Sequence, residues 1–300
     1  MELICQNTIM KKRNKQTIKK AKIFYLLFAI FFLFTLSGCG AERDTEEPDD
    51  VKEEKTTTMS DLIGSLDGNQ TGDGEEPLPD TVLWFNATYA PLTYSNSGDW
   101  KLVGGVEPGG MDSSLLQYTL DRDWDIQDRD SALETVEELK TQGHRVKCRE
   151  CMEKLEEMGL LDCGEKEFAR RLMESGIEEN LFRYVIAYYL YQDGLDEDYI
   201  AAWDLCRVNQ LYADFYICGY MTYEEAMDAS LENSRTLQQM YPSWDAMMDS
   251  YIAGYQFWQS DPCVDEDSPT LERYSYYEIL RDMDNGPYTL DWNMELEKSW

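Results

Sequence analysis

The chain has 300 residues, a formal net charge of -32 and one histidine. That charge repels phosphate backbones and excludes nucleic-acid binding by counterion release. A lone histidine excludes multi-histidine metal centres, and any His-dependent triad that does not use His144.

The first element is a leader. Lys11, Lys12, Arg13, Lys15, Lys19, Lys20 and Lys22 form a basic region, and Met10 offers a second start beside Met1. An uncharged run rich in Phe and Leu follows, from Ile23 to Leu36; as a helix its 14 residues reach about 21 Å, short of the roughly 30 Å hydrocarbon core. It therefore reads as the apolar core of a cleavable signal peptide over residues 1–38, with an uncleaved signal anchor as the alternative. Leu36-Ser37-Gly38-Cys39 completes a lipobox, in which the Cys39 thiol takes the lipid. The expected location is the extracytoplasmic face of a cell membrane, with the lipid on Cys39 as the anchor. Removing the leader takes away a net +6, so the chain from Cys39 onward carries -38. That charge would hold a globule away from anionic head groups and in solution.

Residues 39–80 read as an acidic, disordered linker. Ala41–Asp80 has fourteen acidic side chains, three basic ones and no aromatic residue, too little apolar surface to offset chain entropy. Only Met59–Leu66 suggests a helix, and a transient one.

Composition changes at Thr81, and residues 81–300 read as one mainly α, multi-helix domain with a less regular, Gly-rich start over Thr81–Gly110. Ser131 with Glu134 forms a capping box before Leu133, Val136 and Leu139, and Gly143 is a stop signal. Helices follow over Val146–Met158, closed by Gly159, then over Glu165–Glu174, Leu181–Tyr191 and Tyr199–Ile217. Thr222 and Glu225 cap the next, with Tyr223, Met227, Leu231, Ser234, Leu237 and Tyr241 on one stripe. Pro242 breaks the chain, and Ser243 caps a helix carrying Trp244, Met248, Tyr251, Tyr255 and Trp258. Leu271–Met283 is the last.

Several separated motifs carry a family resemblance. They are Asn86-Ala87-Thr88-Tyr89-Ala90, Trp124-Asp125-Ile126-Gln127-Asp128-Arg129-Asp130-Ser131-Ala132-Leu133, Gly143-His144-Arg145, Ala202-Trp203-Asp204-Leu205-Cys206-Arg207, and Trp244 with Gly254-Tyr255-Gln256-Phe257-Trp258. Together they resemble the bacterial domain of unknown function 1266 family over about residues 81–300. One departure is Gly286-Pro287-Tyr288, where a Ser-Pro-Trp turn is expected. The resemblance implies a helical fold; it supplies no activity and no catalytic residues.

The candidate chemistry is sparse. Asp204 and Arg207, three apart on one helix, can pair and fix helix packing; the functional alternative makes Asp204 an acid/base and Arg207 an anion clamp. His144, Cys148 and Cys151 share a helical face, and Cys163 could fold back to complete a Cys₃His metal site. Against it, no paired C-x₂-C knuckles are present, and Gly143 is expected to leave His144 in a loop, so no cofactor is expected. Cys148-Arg149-Glu150-Cys151 lacks the βαβ context of a redox pair. Six thiols outside Cys5 and Cys39 permit disulfides without specifying any, although Cys206 and Cys218 lie among apolar residues and suit buried small hydrophobes. No G-x-S-x-G, phosphate loop, H-E-x-x-H or EF-hand spacing is present. The expected function is a lipid-anchored, non-catalytic binding or interaction module whose partner is an envelope protein; the alternative is a hydrolase-like envelope enzyme using Asp204 and other carboxylates.

Overall fold

The computed structural model describes residues 77–264 and 267–300. The leader, Cys39, the Met59–Leu66 helix and the linker up to residue 76 lie outside the described residues. Among the described residues there are ten α-helices and no strand: α1 Asp80–Ser95, α2 Gly110–Trp124, α3 Arg129–Thr141, α4 Gly143–Glu157, α5 Glu165–Glu174, α6 Leu181–Gln192, α7 Ala201–Ile217, α8 Tyr223–Met240, α9 Trp244–Gln259 and α10 Pro269–Arg281. The mainly α fold is thus observed, and Leu78–Trp300 belong to one compact unit. No described helix is long and apolar enough to cross a membrane.

α7 is the centre. Its residues are buried on every side, from Ala201 through Asp204, Cys206 and Asn209 to Phe215, the pattern of a helix enclosed by others. It packs most extensively on α8 and α9, and also against α1, α3 and α4. Where α7 begins, the backbone N–H of Ala202 has no partner within its own helix. The Ser250 hydroxyl of α9 accepts it at 3.1 Å, and Tyr241 holds that hydroxyl at 2.8 Å. The centre of the bundle is therefore tied by polar contacts as well as apolar burial.

α1 is enclosed too, which is why no apolar stripe marks it. Its buried face includes Asn86, Thr88 and Thr93. Asn86 donates to the carbonyls of Trp100 and Leu102 at 3.0 and 3.1 Å and accepts from Tyr89 at 2.6 Å. Thr88 accepts from Asn209 at 3.1 Å, and Asn209 also donates to Ser234 at 3.0 Å. Buried polar groups that are satisfied in this way cost little. The irregular part follows α1, over residues 96–109.

Several boundaries differ from the expectation: α1 is a regular helix within the stretch expected to be less regular, α2 falls where no helix is expected, α10 runs over Pro269–Arg281 and not Leu271–Met283, and three further differences have a local reason. The box at the start of α3 is formed by Asp128 and Ser131, with the Asp128 carboxylate accepting from the Ser131 N–H at 2.9 Å. Asp128 lies before the first turn, where an acceptor meets free N–H groups; Ser131 is already inside it. Gly143 opens α4 instead of standing in a loop, so His144 is helical. The stretch Glu197–Ile200 is a tight 3₁₀ turn ahead of α7. The caps at Thr222 and Ser243 are as expected: Thr222 accepts from the Glu225 N–H at 3.2 Å and Ser243 from the Ala246 N–H at 3.2 Å.

Candidate functional site

Four of the separated sequence motifs converge at one end of α7. Asp204 projects from α7 toward the N-terminus of α4 and is 0 % exposed. Its Oδ2 accepts from the His144 N–H at 2.9 Å, and its Oδ1 lies 2.8 Å from His144 Nδ1. A carboxylate only accepts, so Nδ1 carries the proton in this bond. Arg145 Nε stands 3.8 Å from Oδ2, while its Nη2 donates to the Lys140 carbonyl at 2.7 Å. Gln142, the residue before α4, offers no side-chain cap. Asp204 therefore caps α4 from a different helix, satisfying a free first-turn N–H and meeting the positive end of the helix dipole.

Gly143 makes this possible. Its φ is +57°, in the left-handed region that glycine tolerates, and a Cβ there would lie 2.2 Å from Asp204 Oδ2. Gly254 serves α9 in the same way: a Cβ would lie 2.3 Å from Trp203 Cβ. Its absence lets α9 close on α7, bringing Trp258 to 5.5 Å from Trp203 between ring centroids.

Arg207 lies one turn beyond Asp204. Asp204 acts on it through space, but the carboxylate's hydrogen bonds and ion pairs go to His144 and Arg145. The Arg207 guanidinium is instead framed by indoles. Its Cζ is 4.2 Å from the Trp124 ring centroid, 4.6 Å from Trp203 and 5.9 Å from Trp258. Trp203 is buried, Trp124 half-buried and Trp258 38 % exposed. Among the described residues Arg207 makes no hydrogen bond, and its Nη1 is buried without a partner. Burial lowers its pKa to about 10, with Asp204 and Tyr251 opposing the shift. The group stays cationic at neutral pH.

Among the described residues no group of three or more His, Cys, Asp and Glu side chains is placed to hold a metal. His144 is turned to Asp204. Cys148 and Cys151 are buried in α4, where loss of solvent raises both thiols, Cys151 to about 11. Cys163 donates to the Leu160 carbonyl at 3.0 Å. Cys148, Cys151, Cys163, Cys206 and Cys218 are free thiols, and Cys206 and Cys218 are buried as expected.

The spacing of Asp204 and Arg207 suggests a pair, yet the partner of Asp204 stands 60 residues earlier, and the frame of Arg207 comes from three helices. Local spacing holds no trace of either arrangement. The one signal in the sequence is the joint presence of the separated motifs. Residues 119–292 match the profile of the family described as protein of unknown function (DUF1266). No curated protein and no solved structure matches the chain. The matched segment begins within α2, contains α3 to α10 with every residue of the Asp204–Arg207 site, and makes the chain a member of the DUF1266 family.

Proposed function

We propose that the protein is a bacterial lipoprotein, anchored through Cys39 outside the cytoplasm, whose helical domain is a non-catalytic binding or interaction module. One contrast carries the reading. Asp204, the best-placed carboxylate, is sealed from solvent and used up in capping α4, whereas the half-buried Arg207 keeps its donors unspent beside the exposed ring of Trp258. A catalytic acid or base must reach its substrate; a recognition group needs a cation, an aromatic wall and access. The acidic spacer after Cys39 supplies reach.

Crosslinking in native membranes, with mass spectrometry of the captured species, tests the module. A specific envelope protein is expected, retained in the membrane fraction with the wild-type chain and lost from it with Cys39→Ala. Unchanged mass and membrane retention of Cys39→Ala would contradict the anchor.

A hydrolase reading has one observation in its favour. The His144 ring is oriented by a buried aspartate through Nδ1, as in general-base pairs, and Nε2 has no hydrogen bond among the described residues. Among the described residues no Ser, Thr or Cys side chain is hydrogen-bonded to the ring. Turnover of ester, amide or glycoside substrates that disappears in His144→Gln would replace the module reading; no turnover is expected.

A further inference from the structure

We propose that Arg207 and its tryptophan frame form a recognition site for a monocarboxylate borne on an apolar or aromatic group, such as a small aryl acid or the free C-terminus of a peptide ending in an apolar residue. The proposal rests on the binding-module reading and names its ligand class.

The geometry selects the class. The Arg207 Cζ lies over the Trp124 and Trp203 rings, within 4.6 Å of each centroid. Those rings take up space beside the guanidinium carbon and offer it no carboxylate or carbonyl acceptor, so its N–H donors are what a ligand would meet. A guanidinium edge matches a planar carboxylate through two parallel hydrogen bonds. Charge points the same way, because a chain carrying -38 beyond the leader repels a dianion more than a monoanion. Among the described residues no carboxylate is hydrogen-bonded to Arg207, Asp204 being held by His144 and Arg145. The exposed Trp258 ring beside the edge offers an apolar wall to whatever carries the carboxylate.

The test titrates the full chain, purified in detergent, while following tryptophan fluorescence. The probes are sodium benzoate, benzamide, phenyl phosphate, and a tetrapeptide ending in phenylalanine as free acid and as amide. Saturable changes are expected with benzoate or the acid peptide, the tighter of the two naming the source. Benzamide and the amide peptide should give none, and phenyl phosphate should bind more weakly. Arg207→Lys should weaken binding by about tenfold or more, since it keeps the charge but loses the planar fork. Trp258→Ala should weaken it in protein that is still folded by circular dichroism at the assay temperature. No saturable response from folded wild-type protein, equal responses to benzamide, tighter phenyl phosphate binding, or indifference to both substitutions would each overturn the carboxylate site. A partner captured in membranes despite such a failure leaves the module reading standing, whereas a benzoate response accompanied by His144-dependent turnover removes that reading and keeps the site.

Discussion

At Gly143 a single added carbon would meet a carboxylate oxygen at 2.2 Å, in a backbone conformation with φ +57°. Gly143→Ala should therefore cost about 1–3 kcal/mol, from strain and from loosening of the Asp204 cap; a urea midpoint equal to wild type would contradict it. Asp204→Ala should cost about 2–4 kcal/mol, because it leaves the His144 N–H and Nδ1 without their acceptor and removes the charge that faces Arg145. The same unfolding measurement checks it. Asp214, two turns and more along α7, predicts a pH effect. Burial raises its carboxyl from the ordinary 3.8 to about 7, opposed by Gln210, which donates at 3.2 Å. Tyr89 and Cys218 are its titratable neighbours. Between those two pH values the folded chain keeps a proton that the unfolded chain has released, so this group's contribution to stability falls as pH rises. Asp214→Asn should remove that part of the decline, gaining on the order of 2 kcal/mol over wild type at pH 8 relative to pH 5. Equal pH profiles would sink the assignment.

Among the elements, α8 has the clearest local code. Thr222 and Glu225 cap it reciprocally, and Arg129 of α3 adds a two-pronged contact to Glu225 at 2.8 and 3.0 Å. Thr222→Ala should cost about 1 kcal/mol in chemical unfolding, and no loss would mean that tertiary packing alone sets the helix start. α2 is the opposite case. Leu120 is its one buried apolar side chain, while Met111, Leu115 and Tyr118 are exposed, so its amides should exchange fastest among the ten helices. Legibility followed the same division. α8 and α9 announce themselves through caps and apolar stripes, and α5, expected over Glu165–Glu174, agrees residue for residue. α1 does not, because buried Asn86 and Thr88 interrupt any stripe and find their partners only in the tertiary structure. α2 has no buried stripe to read. The Asp204 site was half legible: its residue types and motifs stand in the sequence, but a cap supplied from another helix and a cation framed by rings from three helices exist only after folding.

On the scale of the whole molecule, separate sequence motifs acquire a shared reason. Trp124 from α2, Gly143-His144-Arg145 from α4, Trp203, Asp204 and Arg207 from α7, and Gly254 with Trp258 from α9 build one place, where the glycines permit approach, Asp204 ties two helices and the indoles hold a cation. Labour divides within that place: Asp204 holds the fold, and on the proposed function Arg207 with Trp258 meets the partner. A direct test places a photo-crosslinking residue at the exposed position 259, next to Trp258, in membranes, in otherwise wild-type and Arg207→Lys chains. A discrete adduct is expected from the first and a much weaker one from the second, with both chains folded and membrane-retained. Equal adducts from the two chains, or none from the first, would contradict the account.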